Sequence, residues 1–102
     1  MTRDEILDTA KALISGQRAK DYGDAFHNFS RIAQGWNIII ANTEGPLTAK
    51  HVALMMDWVK TARLLETIDH ADSWVDKVGY SALGGSFLEK WSFPRPRLPN
   101  PR

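Results

Sequence analysis

The chain has 102 residues, of which 43% are hydrophobic and 25% are charged, proportions typical of one globular domain with a modest core. Its formal net charge of +1 gives no electrostatic reason to expect a nucleic-acid partner. The absence of cysteine excludes a disulfide framework, a thiolate metal site and a cysteine nucleophile.

The sequence also carries no sign of a membrane or export signal. Its first residues, Met-Thr-Arg-Asp-Glu, are polar where a signal peptide would be basic and then apolar. No apolar run approaches the roughly 18–20 residues that a membrane span needs. We therefore expect a cytoplasmic protein with no membrane partner.

The first half of the chain predicts two amphipathic helices. Thr2 and Glu5 have the spacing of a capping box, and the apolar pattern that follows ends at Gly16. Residues 17–24 break this pattern, and Asp24 is a plausible cap for a second helix. The apolar face of that helix consists of Phe26, Phe29, Ile32, Ala33, Trp36, Ile39 and Ile40, and its polar face of His27, Ser30, Arg31 and Gln34.

The second half predicts a helical hairpin. After a turn at residues 42–46, Thr48 can cap a third helix that runs to about Thr67 or Ile68. The link at residues 69–71 is so short that the next helix must return antiparallel. This fourth helix is expected to begin near Asp72 and to run to about Trp91.

The predicted fold is therefore all-α, a four-helix antiparallel bundle-like domain at residues 1–91. Residues 92–102 form an extended Pro/Arg-rich tail, because four prolines in eleven residues are incompatible with a helix. The three arginines of the tail would give nucleic acid only weak, salt-sensitive attachment.

Charged residues fall on the apolar side of the predicted hairpin. Arg63 and Glu66 lie within the apolar arc of the third helix, and Asp72 and Asp76 line up with the aromatic Tyr80 on the fourth. Charges on a core-facing stripe are costly unless they are paired or bound to something. The pattern predicts a polar site between packed helices. The arc of the third helix comprises Val52, Leu54, Met55, Met56, Trp58, Val59, Ala62 and Leu65, and the stripe of the fourth continues to Leu83 and Phe87.

The spacing of these charges suits a metal and a phosphate. Asp72 and Asp76 are four residues apart and can share a divalent ion such as Mg²⁺, with Glu66 completing the set from the facing helix. Basic side chains nearby would neutralise phosphate oxygens. The candidate phosphate ligands are Lys60 and Arg63, with Arg18 or His70 in addition.

A structural interpretation accounts for the same residues without a ligand. Lys60, Arg63, Asp72 and Asp76 can form interhelical ion pairs that fix the register of the hairpin. Asp72 can equally be the N-cap of the fourth helix. His51 is expected to be solvated on a polar face, as is His27, and Trp36, Trp58 and Trp74 are expected to pack in the core or at an interface.

Five motifs between residues 18 and 83 together resemble a family of small bacteriophage and prophage proteins with no assigned function. More distantly, the hairpin is similar to the all-α nucleoside triphosphate pyrophosphatases of the MazG type. That resemblance implies Mg²⁺ held by carboxylates of two adjacent helices and hydrolysis of nucleotides to monophosphate and pyrophosphate. The motifs are Arg18-x-x-x-Tyr22-Gly23, Asn28-Phe29-x-x-Ile32-Ala33-x-x-Trp36, Val52-Ala53-x-Met55-Met56, Lys60-x-x-Arg63-Leu64 and His70-x-Asp72-Ser73-Trp74-x-Asp76-x-x-Gly79-Tyr80-x-Ala82-Leu83.

The sequence predicts a phage-type protein that binds a nucleotide or another phosphorylated small molecule. It would be a Mg²⁺-dependent pyrophosphohydrolase or a degenerate relative, and whether it is an enzyme stays open. The alternative is a non-enzymatic phage accessory protein that binds a host protein in the host cytoplasm. In either case we expect a homo-oligomer, because the apolar arcs of the second and third helices are wider than one small bundle can cover.

Overall fold

The computed structural model describes residues 1–16 and 24–87, and within these ranges the chain is helical with no strand. The helices are α1 (Arg3–Ser15), α2 (Ala25–Ala41), α3 (Ala49–Glu66) and α4 (Ala71–Ser86). The predicted all-α, bundle-like fold is confirmed. In the described part of the chain, no helix is long and apolar enough to cross a membrane. The predicted tail and the predicted ligand Arg18 lie outside the described residues.

The first two helices begin where the sequence places their caps. The Thr2 hydroxyl accepts a hydrogen bond from the Glu5 backbone N–H at 3.1 Å, and the Glu5 carboxylate accepts one from the Thr2 N–H at 3.2 Å. The Asp24 carboxylate accepts a hydrogen bond from the Phe26 N–H at 2.8 Å. Both caps satisfy N–H groups that the helix itself leaves without partners, so both predictions are confirmed.

The third helix begins after its predicted cap, Thr48, and ends at Glu66, close to the predicted end. The His51 ring nitrogen accepts the Thr48 backbone N–H at 3.0 Å, so this histidine caps α3 and is not a freely solvated surface group. His70 is the N-cap residue of α4, which places Asp72 in the first turn. The helix spans Ala71–Ser86, and the predicted end near Trp91 lies outside the described residues.

Two tryptophans join α2 to the antiparallel α3. The Trp36 indole N–H donates to the Met55 carbonyl, and the Trp58 indole N–H donates to the Arg31 carbonyl, each at 2.9 Å. The Trp58 ring also lies directly over Gly35, where an added Cβ would be 1.8 Å from the indole carbon Cε2. The predicted interface role of these two tryptophans is confirmed. Trp74 differs, because its side chain is about half exposed and its indole N–H donates to the Ile68 carbonyl, only six residues earlier in the chain.

On its other side α3 packs antiparallel against α4. A Cβ added to Gly84 would lie 2.8 Å from the Cβ of Ala53, so the two backbones approach closely at this point. Ser73 and Leu64 are both buried near the other end of the hairpin. Because α2 and α4 cover different sides of it, α3 is the central helix of the described fold.

This central position corrects the predicted buried faces. Within the described residues, the buried apolar side chains are Ala53, Ala62 and Leu64. Val52, Leu54 and Leu65, which belong to the predicted arc, are exposed. The single apolar arc predicted for α3 is wrong because α3 is contacted from two sides.

On α4 the predicted stripe is also displaced. Ser73 is buried and Lys77 reaches α3. The exposed members of the predicted stripe are Asp72, Asp76, Leu83 and Phe87.

Candidate functional site

Charged side chains connect α3 and α4 in a crosswise arrangement. Lys60 on α3 lies 3.2 Å from the Asp76 carboxylate on α4. One turn away the signs are reversed, since Lys77 on α4 lies 3.0 Å from the Asp57 carboxylate on α3 and donates to the Thr61 hydroxyl at 2.6 Å. The ion pair between Lys60 and Asp76 is the kind that the structural interpretation of the sequence predicted.

The buried polar residues of the described chain come one from each packed helix. Asn28 of α2 is 5% exposed, Arg63 of α3 is 3% exposed, and Ser73 of α4 is 2% exposed. Buried amide, guanidinium and hydroxyl groups are uncommon in proteins, because each must be compensated for its lost hydration. Their presence in a core with so few apolar side chains marks this region as the candidate site.

The topology brings these residues to one end of the fold. The bond from Trp58 to the Arg31 carbonyl places the first turns of α2 beside the last turns of α3. From there the Arg31 guanidinium reaches the Glu66 carboxylate at 3.3 Å. At the turn into α4, the His70 ring nitrogen lies 2.8 Å from the Ser73 hydroxyl. We call this region the polar end, and it comprises Asn28, Arg31, Arg63, Glu66, His70 and Ser73.

Two atoms of the polar end have hydrogen-bonding capacity to spare. The Asn28 Oδ1 and the Arg31 Nε are both enclosed by protein, and within the described part of the chain neither has a hydrogen-bond partner. Leaving such a group unsatisfied costs about 1–3 kcal/mol. One acceptor and one cationic donor, one helical turn apart on α2, are therefore enclosed without a hydrogen-bond partner among the described residues.

The residues predicted for the site fall into two groups. Arg63, His70 and Glu66 belong to the polar end, whereas Lys60 and Asp76 pair with each other further along the hairpin. Asp72 is exposed in the first turn of α4. The predicted metal ligands Glu66 and Asp76 are thus each engaged by a cation of a neighbouring helix.

The acidic residues also do not gather around one point. Over residues 1–16 and 24–87 there is no group of three or more histidine, aspartate or glutamate side chains that could hold a metal ion. Glu66, Asp72 and Asp76 thus do not form such a group among the described residues, and Mg²⁺ stays a prediction from sequence.

Sequence reasoning missed the contribution of α2 to the polar end. Arg31 was expected on the solvated polar face of that helix, but it faces α3, as does Asn28. A signal was available, since Asn28, Arg31 and Gly35 recur at the spacing of one helical face. Lys77 was missed for a different reason, because its partners depend on the register of the hairpin.

Comparison with known proteins places the chain in a class of phage proteins. The chain is 44% identical over 89 residues to the Gene 55 protein of Mycobacterium phage L5, which is 87% of this chain and 53% of that protein. It is 36% identical over 78 residues to the Gene 55 protein of Mycobacterium phage D29, which is 76% of this chain and 50% of that protein. The chain thus spans about half the length of these curated relatives.

Residues 5–88 match the family described as a domain of unknown function, DUF6378, and the chain belongs to this family. No solved structure matches the chain. The predicted membership in a family of phage proteins without an assigned function is confirmed. The more distant resemblance to MazG-type pyrophosphatases stays a prediction.

Proposed function

We propose that this phage-type helical protein binds a phosphorylated small molecule, most simply a nucleotide, at the polar end. The observation that carries the proposal is the burial of one polar side chain from each of three helices, Asn28, Arg63 and Ser73, in a core with few apolar groups. Buried polar groups are costly unless they are paired within the protein or bound to something else.

The chemistry of the polar end favours an anion with hydroxyl or amino groups. Two arginines, Arg31 and Arg63, belong to this end, and Arg31 pairs with the Glu66 carboxylate. Guanidinium groups match the geometry of phosphate oxygens. The Asn28 carbonyl oxygen, which is enclosed and has no hydrogen-bond partner among the described residues, is an acceptor suited to a hydroxyl or amino donor. A nucleotide offers both kinds of group.

We propose binding and not turnover. Metal-assisted hydrolysis needs carboxylates that are free to hold the ion. Here Lys60 engages Asp76 and Arg31 engages Glu66. A chain with this arrangement is better suited to holding a nucleotide, in the cytoplasm of the infected cell, than to cleaving one.

The test is thermal unfolding and titration calorimetry with inorganic phosphate, pyrophosphate and nucleoside mono- and triphosphates. A true ligand at a hundred times its Kd should stabilise the protein by about 2.7 kcal/mol. Arg31→Gln should lose most of this stabilisation, because it removes the cation with the unpartnered Nε. The matched control is Lys50→Gln, an exposed basic residue at the far end of α3 that should bind like the wild type.

Each outcome of this test has a clear meaning. Stabilisation by nucleotides that Arg31→Gln abolishes and Lys50→Gln retains supports the proposal. No stabilisation by any phosphate compound, or equal stabilisation of both variants, overturns it.

Repeating the titrations with Mg²⁺ and with Asp76→Asn tests the metal separately. If Asp76 is only the partner of Lys60, that substitution leaves binding unchanged and costs less than about 1 kcal/mol, since the pair is partly exposed.

A second candidate function is supported by the outer face of α4. Trp74, Val75 and Val78 form an exposed apolar patch on the side away from α3. Such a patch favours an accessory protein that binds a protein of the host. Two results together would support this candidate. No phosphate compound would stabilise the chain against thermal unfolding, and replacing Val75 and Val78 by lysine would remove the effect of the protein in the infected cell.

A further inference from the structure

One side of α2 presents an exposed apolar stripe with the spacing of a coiled-coil seam. Its residues alternate at intervals of three and four along the whole helix. Phe26 is 74% exposed and Phe29 is 67% exposed, and Ala33 and Ile40 are also exposed. The stripe, which we call the α2 seam, consists of Phe26, Phe29, Ala33, Trp36 and Ile40, of which Trp36 is half-buried because its indole N–H donates to α3.

The α2 seam borders an apolar groove on the α3 side. The groove has a volume of about 290 Å³ and opens to solvent. It is lined by Phe29, Ile32, Ala33, Trp36 and Val59. Three residues of the seam thus also line the groove, and together they form one continuous apolar surface that α3 leaves uncovered.

We propose that the α2 seam pairs with the α2 seam of a second copy of this chain, antiparallel, with a two-fold axis at Ala33. The order of side-chain sizes along the seam is symmetric: two large residues, then Ala33, then two large residues. An antiparallel two-fold therefore sets Phe29 against the partner's Trp36 and Phe26 against the partner's Ile40. The small alanine at the axis allows the helices to approach closely.

The charges of α2 permit this self-pairing. Within residues 25–41 the fully charged side chain is Arg31, and it points to Glu66 on α3. Ser30 and Asn37, which flank the seam, are neutral. An antiparallel copy therefore meets no like charge across the two-fold axis, so nothing in the sequence of the helix opposes association with itself.

The exposed area is consistent with a stable dimer. Aromatic side chains bury about 150–250 Å² each, so at their exposures Phe26 and Phe29 contribute roughly 200–350 Å² per copy. Four such rings in a dimer supply about half of the roughly 1,000 Å² at which specific interfaces begin. The remainder must come from Ala33, Trp36, Ile40 and the rims of the groove.

The absence of cysteine makes a cross-linking test clean. Facing helices lie about 8–10 Å apart and Cα atoms lie about 2.3 Å from each axis, so two residues on the two-fold axis approach to about 3.4–5.4 Å between Cα atoms, which overlaps the roughly 4.4–6.8 Å usual for disulfides. Ala33→Cys in the full chain should form a covalent dimer under mild oxidation. Gln34→Cys, which is exposed but lies away from the seam, should not.

Light scattering supplies an independent measurement. The wild type should have a mass of two or more 11.5 kDa chains, and Phe29→Glu should dissociate the copies paired through α2 while keeping the helical circular dichroism, because Phe29 is largely exposed. Val78→Glu is the matched control, since Val78 is 69% exposed on α4. It should keep the wild-type mass.

Three results would overturn the α2 pairing. These are a wild-type mass of one chain at micromolar concentration, dissociation by Val78→Glu but not by Phe29→Glu, and a disulfide that forms at position 34 in preference to position 33. The inference does not depend on ligand binding, so either proposal can fail while the other stands.

Discussion

At the residue scale, the contact between Gly35 and Trp58 shows how one missing side chain sets the approach of two helices. The Trp58 indole occupies the space where any other residue at position 35 would place its Cβ. From this space the Trp58 indole N–H reaches the Arg31 carbonyl. Glycine costs helix stability of its own, and here the cost is offset by the burial of a large ring.

We therefore expect Gly35→Ala to lower the free energy of unfolding by about 1–3 kcal/mol, as overpacked cores do. Gly79→Ala is the matched control, because it lies in α4 with no atom within 4 Å of the added Cβ. It should raise the free energy by about 0.5–1 kcal/mol through the better helix propensity of alanine. Urea unfolding followed by circular dichroism measures both. Stabilisation by both substitutions would mean that Trp58 does not lie over Gly35.

At the scale of elements, the hairpin of α3 and α4 has a register fixed by charges of alternating sign. Asp57 and Lys60 on α3 face Lys77 and Asp76 on α4, so each helix contributes one acid and one base. Sliding one helix past the other by a turn would separate opposite charges and bring like charges together. Since these pairs are partly exposed, their value lies in selecting one register more than in adding stability.

A charge exchange tests this role. Asp57→Lys alone places a second positive charge beside Lys77 and should destabilise the protein by about 1–2 kcal/mol. The double variant Asp57→Lys/Lys77→Asp restores opposite charges and should recover most of that loss. Chemical unfolding of the single variants and of the double variant gives the coupling free energy. Losses that simply add would show that the two residues do not interact.

At the scale of the whole molecule, the described chain exposes apolar side chains on every helix. In α1, where none of the residues is buried, Ile6 and Leu7 are exposed, and an isolated helix of this length is marginal in water. On α2 the seam adds two exposed phenylalanines. Surfaces of this kind usually mark contacts with other chains, and the homo-oligomer stays a prediction.

If association through α2 stabilises the fold, thermal unfolding must follow mass action. The melting temperature of the wild type should rise by about a few degrees for each tenfold increase in protein concentration. That of Phe29→Glu should be lower and should not change with concentration. Scanning calorimetry over a hundredfold concentration range provides the measurement. A wild-type melting temperature that stays constant over this range would contradict an oligomer stabilised by association.

The sequence by itself determined the helices and several of their ends. The capping residues Thr2 and Asp24 act over three residues or fewer, so local hydrogen bonding suffices to predict them. The short link before α4 likewise required an antiparallel hairpin, and the motifs pointed to the phage family. The sequence also indicated that a polar side chain would be buried, because Arg63 lies within an apolar helical pattern.

Only the tertiary structure decided which faces are buried and which charges meet. A single helix projected on a wheel suggests one apolar face, whereas α3 is covered by α2 on one side and by α4 on the other. That double coverage buries Ala53 and Ala62 and leaves Val52 and Leu54 exposed. The partners of Arg31 and Lys77 depend on the relative positions of helices, which are set by long-range packing and the fit of Trp58 over Gly35. No periodicity within one helix contains that information.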